Sequence, residues 1–179
     1  METKIFNGKK IMIRSLSSQD LVRAEKWCDF INSLVEEKAQ VLENKKQSLA
    51  EAREELRKKL QEIKKGKDVF LLAEDDGKIV GRAEIYSLKG CLDHLAEIRL
   101  AIRNGYRGIG LGSFLMKKIL ASAKKLKPKP KFARLSLFET NKPAFHLYRK
   151  FGFKEVGRVK KQCQFKGRLV GEIVMLLEI

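Results

Sequence analysis

Two stretches of this 179-residue chain carry residue types that could do chemistry. The first is Leu100-Ala101-Ile102-Arg103-Asn104-Gly105-Tyr106-Arg107-Gly108-Ile109-Gly110-Leu111-Gly112, where a strand-like run gives way to glycines and then to a helical pattern. The first amides of a helix lack intrahelical partners, and the macrodipole makes that end positive. Glycines let the backbone come close to an anion. The pattern therefore predicts a diphosphate on the amides of about Gly108–Gly112, with Arg107 beside it. A tight turn with close helix packing is the other use such glycines have. Two familiar nucleotide motifs do not fit. A P-loop needs Gly-Lys-Ser/Thr, which does not occur. A dinucleotide fingerprint needs a third glycine where Ser113 stands, and Ile119–Lys131 holds no acid for a ribose.

The second stretch is Asn141-Lys142-Pro143-Ala144-Phe145-His146-Leu147-Tyr148-Arg149-Lys150-Phe151-Gly152-Phe153. Together the two blocks resemble the GNAT superfamily of N-acetyltransferases, which move an acetyl group from acetyl-CoA to an amine. Arg107–Gly112 matches that family's [Q/R]xxGx[G/A] pyrophosphate loop, and Asn141–Phe153 matches its NxxAxxLYxxxGF segment. The spacing of the blocks and the order of elements match as well, so the resemblance covers roughly residues 10–179. It is most similar to the ribosomal-protein and protein N-terminal acetyltransferase branch.

The resemblance implies acetyl-CoA as acyl-donor co-substrate and no metal. It implies that Leu100 and Ile102 offer backbone groups to the pantetheine arm, inserted as a pseudo-strand where two strands splay apart. Arg107, Gly108, Ile109, Gly110, Leu111 and Gly112 would hold the pyrophosphate. Asn141 would hydrogen-bond the pantetheine, and Tyr148 would face the sulfur.

The reaction sets further needs. A protonated amine is no nucleophile, so a base must take its proton, often through water. The developing oxyanion needs a donor, most simply a backbone N–H near Leu100–Ile102. The departing thiolate needs an acid. Tyr148, with a reference pKa of about 10, holds its proton at neutral pH. Outside the motif it would read as a core aromatic. In the N-terminal acetyltransferase branch a Glu often lies five residues before the motif's Asn; here Ser136 stands there and cannot serve. Glu97, on the strand entering the glycine loop, is the first candidate base, Glu84 the second and His94 the third. The alternatives are an ion-paired strand carboxylate for either Glu and a solvated loop residue for His94. His146 has no catalytic place in the family pattern.

The elements that must position these residues follow from periodicity. Lys10–Leu16 alternates as a strand. Ser17, with Asp20 three residues on, opens a helix whose core face is Leu21, Ala24, Trp27, Cys28, Ile31, Leu34 and Val35. Ser48 and Glu51 form a second capping box, opening a helix that runs to about Lys65, with Gly66 as its C-cap. These two helices make an extended helical hairpin at about 18–65. Val69–Ala73, Lys78–Ser87 and Leu95–Ile102 read as strands, the first two joined by Asp75-Asp76-Gly77. Ile109–Ala123 is helical, Phe132–Phe138 a strand and Pro143–Lys150 a helix. Lys154–Phe165 and Arg168–Ile179 form a hairpin about Lys166-Gly167. The expected fold is a single α/β N-acetyltransferase domain over residues 1–179, in the order β-αα-βββ-α-β-α-ββ. Its sheet is mixed, mostly antiparallel and splayed at the acetyl-CoA site.

Composition bounds the partners. The chain is 44% hydrophobic and 34% charged, with 13 Gly, 3 Pro and 3 Cys, which excludes disordered, collagenous and disulfide-scaffold classes. No apolar run approaches the roughly 20 residues of a membrane span, and the first residues do not read as a signal peptide. The odd, scattered cysteines suit a reducing cytoplasm. Cys91-Leu92-Asp93-His94 has metal-like spacing but lacks the second ligand pair zinc needs. The net charge of +17 is one-sided: residues 99–179 hold 20 Lys+Arg against 4 Asp+Glu. Such a field attracts a polyanion. With Lys160, Lys161, Lys166 and Arg168 on the C-terminal hairpin, it predicts a basic acceptor groove that disfavours polyamines. The expected acceptor is a protein or peptide amine, N-terminal or lysine, acidic or ribosome-associated, attacking directly in a ternary complex on a monomeric or homodimeric enzyme; the alternatives are a small-molecule amine acetyltransferase and an acetyl-CoA-binding module whose basic half meets nucleic acid or the ribosome. Nucleic acid is less favoured, because the basic stretches offer only Phe132 and Phe165 for stacking.

Overall fold

The computed structural model describes residues 1–179. Its frame is one eight-stranded sheet in the order β1-β2-β3-β4-β5-β6-β8-β7. The strands are β1 Glu2–Phe6, β2 Lys9–Ser15, β3 Asp68–Asp75, β4 Lys78–Ser87, β5 Leu95–Ile102, β6 Phe132–Phe138, β7 Lys154–Phe165 and β8 Arg168–Glu178. The helices are α1 Gln19–Val22, α2 Ala24–Glu36, α3 Leu49–Lys64, α4 Leu111–Ser122 and α5 Lys142–Lys150. No helix is long and apolar enough to cross a membrane.

Three hairpins turn on dipeptides whose residues both take positive φ: Asn7-Gly8, Asp76-Gly77 and Lys166-Gly167. That backbone matches the twist of the strands it joins. The first of these adds β1, which the sequence reading did not include; the Asn-Gly signal was there, but apart from Met1 only Ile5 and Phe6 are large and apolar before it. The first predicted helix is also broken in two. Arg23 leaves helical geometry (φ −106°, ψ 38°), so a single turn, α1, precedes α2. The capping pair at the start is displaced as well. The Ser17 amide donates to Asp20 Oδ2 at 2.8 Å, but the N-cap position falls on Ser18. The element order is thus ββ-ααα-βββ-α-β-α-ββ. The Ser48/Glu51 box forms as its spacing predicts, with the Ser48 amide donating to Glu51 and the Glu51 amide to Ser48 Oγ.

The sheet is antiparallel at every pairing except β5–β6. There it is parallel and short: Leu95↔Phe132, Ala96↔Ala133 and Glu97↔Arg134 pair, and then the strands part. Beyond that point β5 keeps β4 and β6 keeps β8.

A core lies on each face. On one, Leu111, Leu115, Met116 and Ile119 of α4 meet Val80, Ile85, Leu135 and Met175 of the sheet. On the other, Trp27, Phe30, Ile31 and Leu34 of α2 and Leu56 of α3 meet Phe70, Leu72 and Ile79. Burying each of these large side chains contributes roughly 1.5–3 kcal/mol, before the entropy of ordering them is subtracted.

Beneath α3 sits a polar exception. Lys59 bridges the buried carboxylates of Glu84 and Asp68, the latter at 3.5 Å. One oxygen of each carboxylate has no partner. Burial raises the Asp68 carboxyl from 3.8 to about 6, outweighing the Lys59 charge, and burial lowers Lys59. The folded chain therefore binds the Asp68 proton more tightly than the unfolded chain does, and this stability is lost as pH rises through about 4 to 6. An Asp68→Asn variant should gain on the native protein across that window. Denaturant unfolding of both proteins at either end of the window measures the difference; a constant gap would mean Asp68 ionises as easily folded as unfolded.

Candidate active site

The glycine loop between β5 and α4 is braced from outside so that its amides stay free. Asn104 N donates to Glu37 Oε2 at 3.0 Å. Arg103, almost wholly buried, reaches Asp29 at 2.7 Å. The Tyr106 hydroxyl donates to Asp75 at 2.9 Å. The Tyr106 amide bonds Arg103 O, and the next amide with a protein acceptor is that of Phe114, bonded to Gly110 O. The N–H groups of Arg107 through Ser113 are left for a ligand at the positive end of a 12-residue helix. Gly110 has φ 91°, a conformation that a side chain strains. Gly112 has a different reason. A Cβ there would lie 3.3 Å from Ile102 Cδ1 and 3.4 Å from Leu147 Cδ2. These residues fit a diphosphate.

The parting of β5 and β6 opens a cavity of about 540 Å³. By strand alternation Leu100 and Ile102 point to the α4 face, and Glu97, Arg99 and Ala101 to the α2/α3 face. All five line the same cavity, so it passes through the sheet. On β5, Arg103 N points to β4, where it bonds Val80 O. The backbone groups of Ile102 and Leu100 therefore point into the gap. Ile102 O there accepts from Arg107 Nε at 2.7 Å.

The structure brings most of the sequence-derived residues to this cavity. Leu100, Ile102, Arg107, Gly108, Gly110, Gly112, Asn141, Tyr148 and Glu97 line it, and Ile109 and Leu111 complete the loop between them. Asn141 caps α5, its Oδ1 accepting from Ala144 N at 3.3 Å, so its Nδ2 remains for a ligand. Tyr148 is buried on α5, its hydroxyl bonded to no protein group, and burial pushes its pKa up to about 12. Glu97 gives one oxygen to Arg134 Nε at 2.6 Å and keeps the other.

Two of the three base candidates do not reach the site. Glu84 is fully buried under α3 against Lys59 and does not line the cavity. His94 precedes β5 at the end away from the gap, where its carbonyl accepts from Lys131 and its ring meets Phe132. The expected basic groove is also corrected. Lys160, Lys161, Lys166 and Arg168 stand exposed about the β7–β8 turn, outside the cavity. The charged lining is mixed: Arg82, Arg99 and Arg107 against Glu43, Glu97 and Glu172.

Sequence reasoning missed the residues that reach the glycine loop and the cavity from the end of α2 and the loop after it. Glu37 pairs with Arg107, and Gln40 accepts from Thr140 at 3.3 Å. Glu43 pairs with Arg82, a buried arginine stacked over Trp27. Burial works to raise the Glu43 carboxyl, but the Arg82 charge carries it below the ordinary range. Glu172 of β8 was missed too. Only a polar position in an otherwise apolar strand marked it.

The acetyltransferase (GNAT) family model matches residues 29–153, most of the chain, and the chain belongs to that family. The fold is shared with solved structures. An acetyltransferase of the GNAT family from Streptococcus pneumoniae is 22% identical, with 94% of this chain and 99% of that one covered and a TM-score of 0.80. A ribosomal-protein-alanine N-acetyltransferase from Brucella melitensis is also 22% identical, covering 94% and 99%, with a TM-score of 0.78. A Salmonella typhimurium protein solved with its cofactor acetyl-CoA is 15% identical, covering 94% and 93%, with a TM-score of 0.78. The protein is an acetyl-CoA-dependent N-acetyltransferase.

A Gly110→Ala change tests the loop. The methyl group meets only the Phe6 ring, at 3.9 Å, so the damage is backbone strain rather than collision. Stability should fall by about 1 kcal/mol, and calorimetry should show acetyl-CoA binding weakened about tenfold or more as the amides turn away. Unchanged affinity would place the diphosphate elsewhere.

Proposed function

We propose that this enzyme acetylates the amine of a protein or peptide, an N-terminal α-amine before a lysine, by direct attack in a ternary complex in the cytoplasm. The observation that carries the reading is the cavity through the sheet. Donor and acceptor can enter from opposite faces and meet in the gap between β5 and β6, with Tyr148 on one side and Glu97 on the other. The acceptor class draws support from the shared fold with the ribosomal-protein-alanine acetyltransferase. It also draws on amine chemistry: an α-amine has a reference pKa near 8 against about 10.4 for lysine, so more of it is free base at neutral pH. Three free cysteines fit the reducing compartment.

The loop amides and Arg107 hold the pyrophosphate of the co-substrate acetyl-CoA. Arg107 then exchanges Glu37 for phosphate. Asn141 Nδ2 and the gap-facing backbone of Leu100 and Ile102 fix the pantetheine arm. Glu97, oriented by Arg134, takes the ammonium proton, directly or through a water. The amine nitrogen then bonds to the acetyl carbon. The carbonyl oxygen gains charge beside backbone N–H groups of β5. The carbon–sulfur bond breaks and Tyr148 protonates the departing thiolate, while the nitrogen sheds its second proton to water and solvent reprotonates the Tyr148 phenolate. A hydroxyl held at about 12 keeps its proton over the working pH range, so the acid is loaded when the carbon–sulfur bond breaks.

Mass spectrometry after incubation with acetyl-CoA tests the acceptor class. The panel holds peptides with free or blocked N-termini, with and without lysine, plus spermidine and an aminoglycoside. Label on free-N-terminus peptides is expected. Label confined to the small amines would sink the proposal. For the residues, Tyr148→Phe should cost about 100-fold in kcat, within the range of a general acid, and leave acetyl-CoA affinity unchanged. Glu97→Gln should slow turnover most at low pH, where the amine is protonated, with the deficit shrinking as pH rises. A deficit independent of pH would remove Glu97 from the base role.

A further inference from the structure

The geometry points to Arg99 as the residue that selects the acceptor, by reading an acidic side chain at the second position of an acetylated N-terminus. The inference rests on the peptide-amine reading above and names the substrate within it.

The charged groups on the acceptor side of the cavity are mostly neutralised by partners. Glu43 is paired with Arg82, and Glu97 with Arg134. Two side chains in the cavity lining form no ion pair: Arg99 on β5 and Glu172 on β8. The carboxylate opposite Arg99 in the β4–β5 register, Glu84, is taken by Lys59. The Arg99 guanidinium instead lies over the Tyr86 ring, 5.3 Å from its centroid. That contact supports the plane of the side chain without cancelling its charge, and a guanidinium so held presents its N–H edge to a carboxylate.

Spacing fixes which acid it meets. Glu97 and Arg99 are two residues apart on one face of β5, hence about 7 Å along the strand. An extended peptide advances about 3.5 Å per residue. With the amine at Glu97, the second Cα lies about 5 Å on, and an Asp side chain there covers the rest of the distance to Arg99. The α-carboxylate of a free amino acid is too close to its amine to span that distance. Glu172 stands across the gap, opposite Phe138 in the β6–β8 register, and Glu43 feels the Arg99 charge but pairs with Arg82, so Arg99 forms an ion pair with no carboxylate of the protein.

The test is steady-state acetylation of three peptides, alike except for Asp, Asn or Lys at the second position, by the native enzyme, Arg99→Gln and Arg99→Lys. The native enzyme should favour Asp over Asn about tenfold in kcat/KM, mostly through KM, which is the scale of one charge-assisted hydrogen bond. Arg99→Gln should level Asp with Asn while leaving KM for acetyl-CoA alone, and Arg99→Lys should keep part of the preference. Equal use of Asp and Asn peptides by the native enzyme overturns the assignment. So does an Arg99→Gln enzyme that loses the same factor on all three, the mark of lost packing against Tyr86. Turnover of spermidine or an aminoglycoside with none of the peptides would instead overturn the peptide-amine reading, so the two failures are separable.

Discussion

The site depends on two neighbouring strands that stop pairing. β5 and β6 share three residue pairs and then separate, while each keeps its other neighbour. Backbone groups along both edges of the gap are left without strand partners, a state that buried N–H and C=O groups do not tolerate unless a ligand or water supplies the bonds. The gap is thus a vacant strand position. An extended arm bearing amides can occupy it at little cost, because the sheet has already paid the entropy of ordering both edges. The arrangement is stable because the separation is confined: each strand keeps its other neighbour, with α4 packed on one face of the sheet and α2 and α3 on the other, over β3 and β4.

The same logic governs the glycine loop. Free amides at a helix start are stable only if the chain around them is fixed by something else. Here most of the fixing side chains come from outside the loop: Glu37 at the end of α2 holds Asn104 and Arg107, Asp29 holds Arg103, and Asp75 holds Tyr106. The helical hairpin thus meets the site twice: the end of α2, through Glu37, braces the glycine loop, and the segment between α2 and α3, through Gln40 and Glu43, lines the cavity.

What the sequence made legible was local. Turn dipeptides, the Ser48/Glu51 box and the glycines after Ile102 each act over a few residues, and the structure realises them where the spacing places them. The strand β1 was missed because Glu2–Phe6 is an edge strand with four of its five residues facing solvent at least in part, so it lacks a core-facing pattern. The break at Arg23 was missed because apolar spacing continues across it. The base candidates show the deeper limit. Glu84 and Glu97 look alike in sequence, each a carboxylate inside a strand. Register separates them: Glu97 lies at the last pair before the strands part, and Glu84 lies one strand inward under Lys59. That distinction is a tertiary fact, as is the pairing of Glu43 with an arginine 39 residues away.

The charge distribution divides into two scales that sequence reading merged. The excess of Lys and Arg after residue 98 stands largely on exposed surface, residues 124–131 above all, with β7 next. Its field extends over about a Debye length, 8 to 10 Å at physiological salt. At that range it draws in any polyanion, and acetyl-CoA with its phosphates is one. Inside the cavity the arithmetic is different: three arginines face three glutamates, and most are already committed to partners. A site so nearly neutral cannot select by net charge. It selects by the position of whichever charge is left without a partner, because an unpaired ion held on a rigid strand gains a full charge-assisted bond from the right ligand and gains nothing from the wrong one. Long-range attraction can therefore speed the arrival of the donor, while discrimination among acceptors by charge falls to the two groups left unpaired, Arg99 and Glu172.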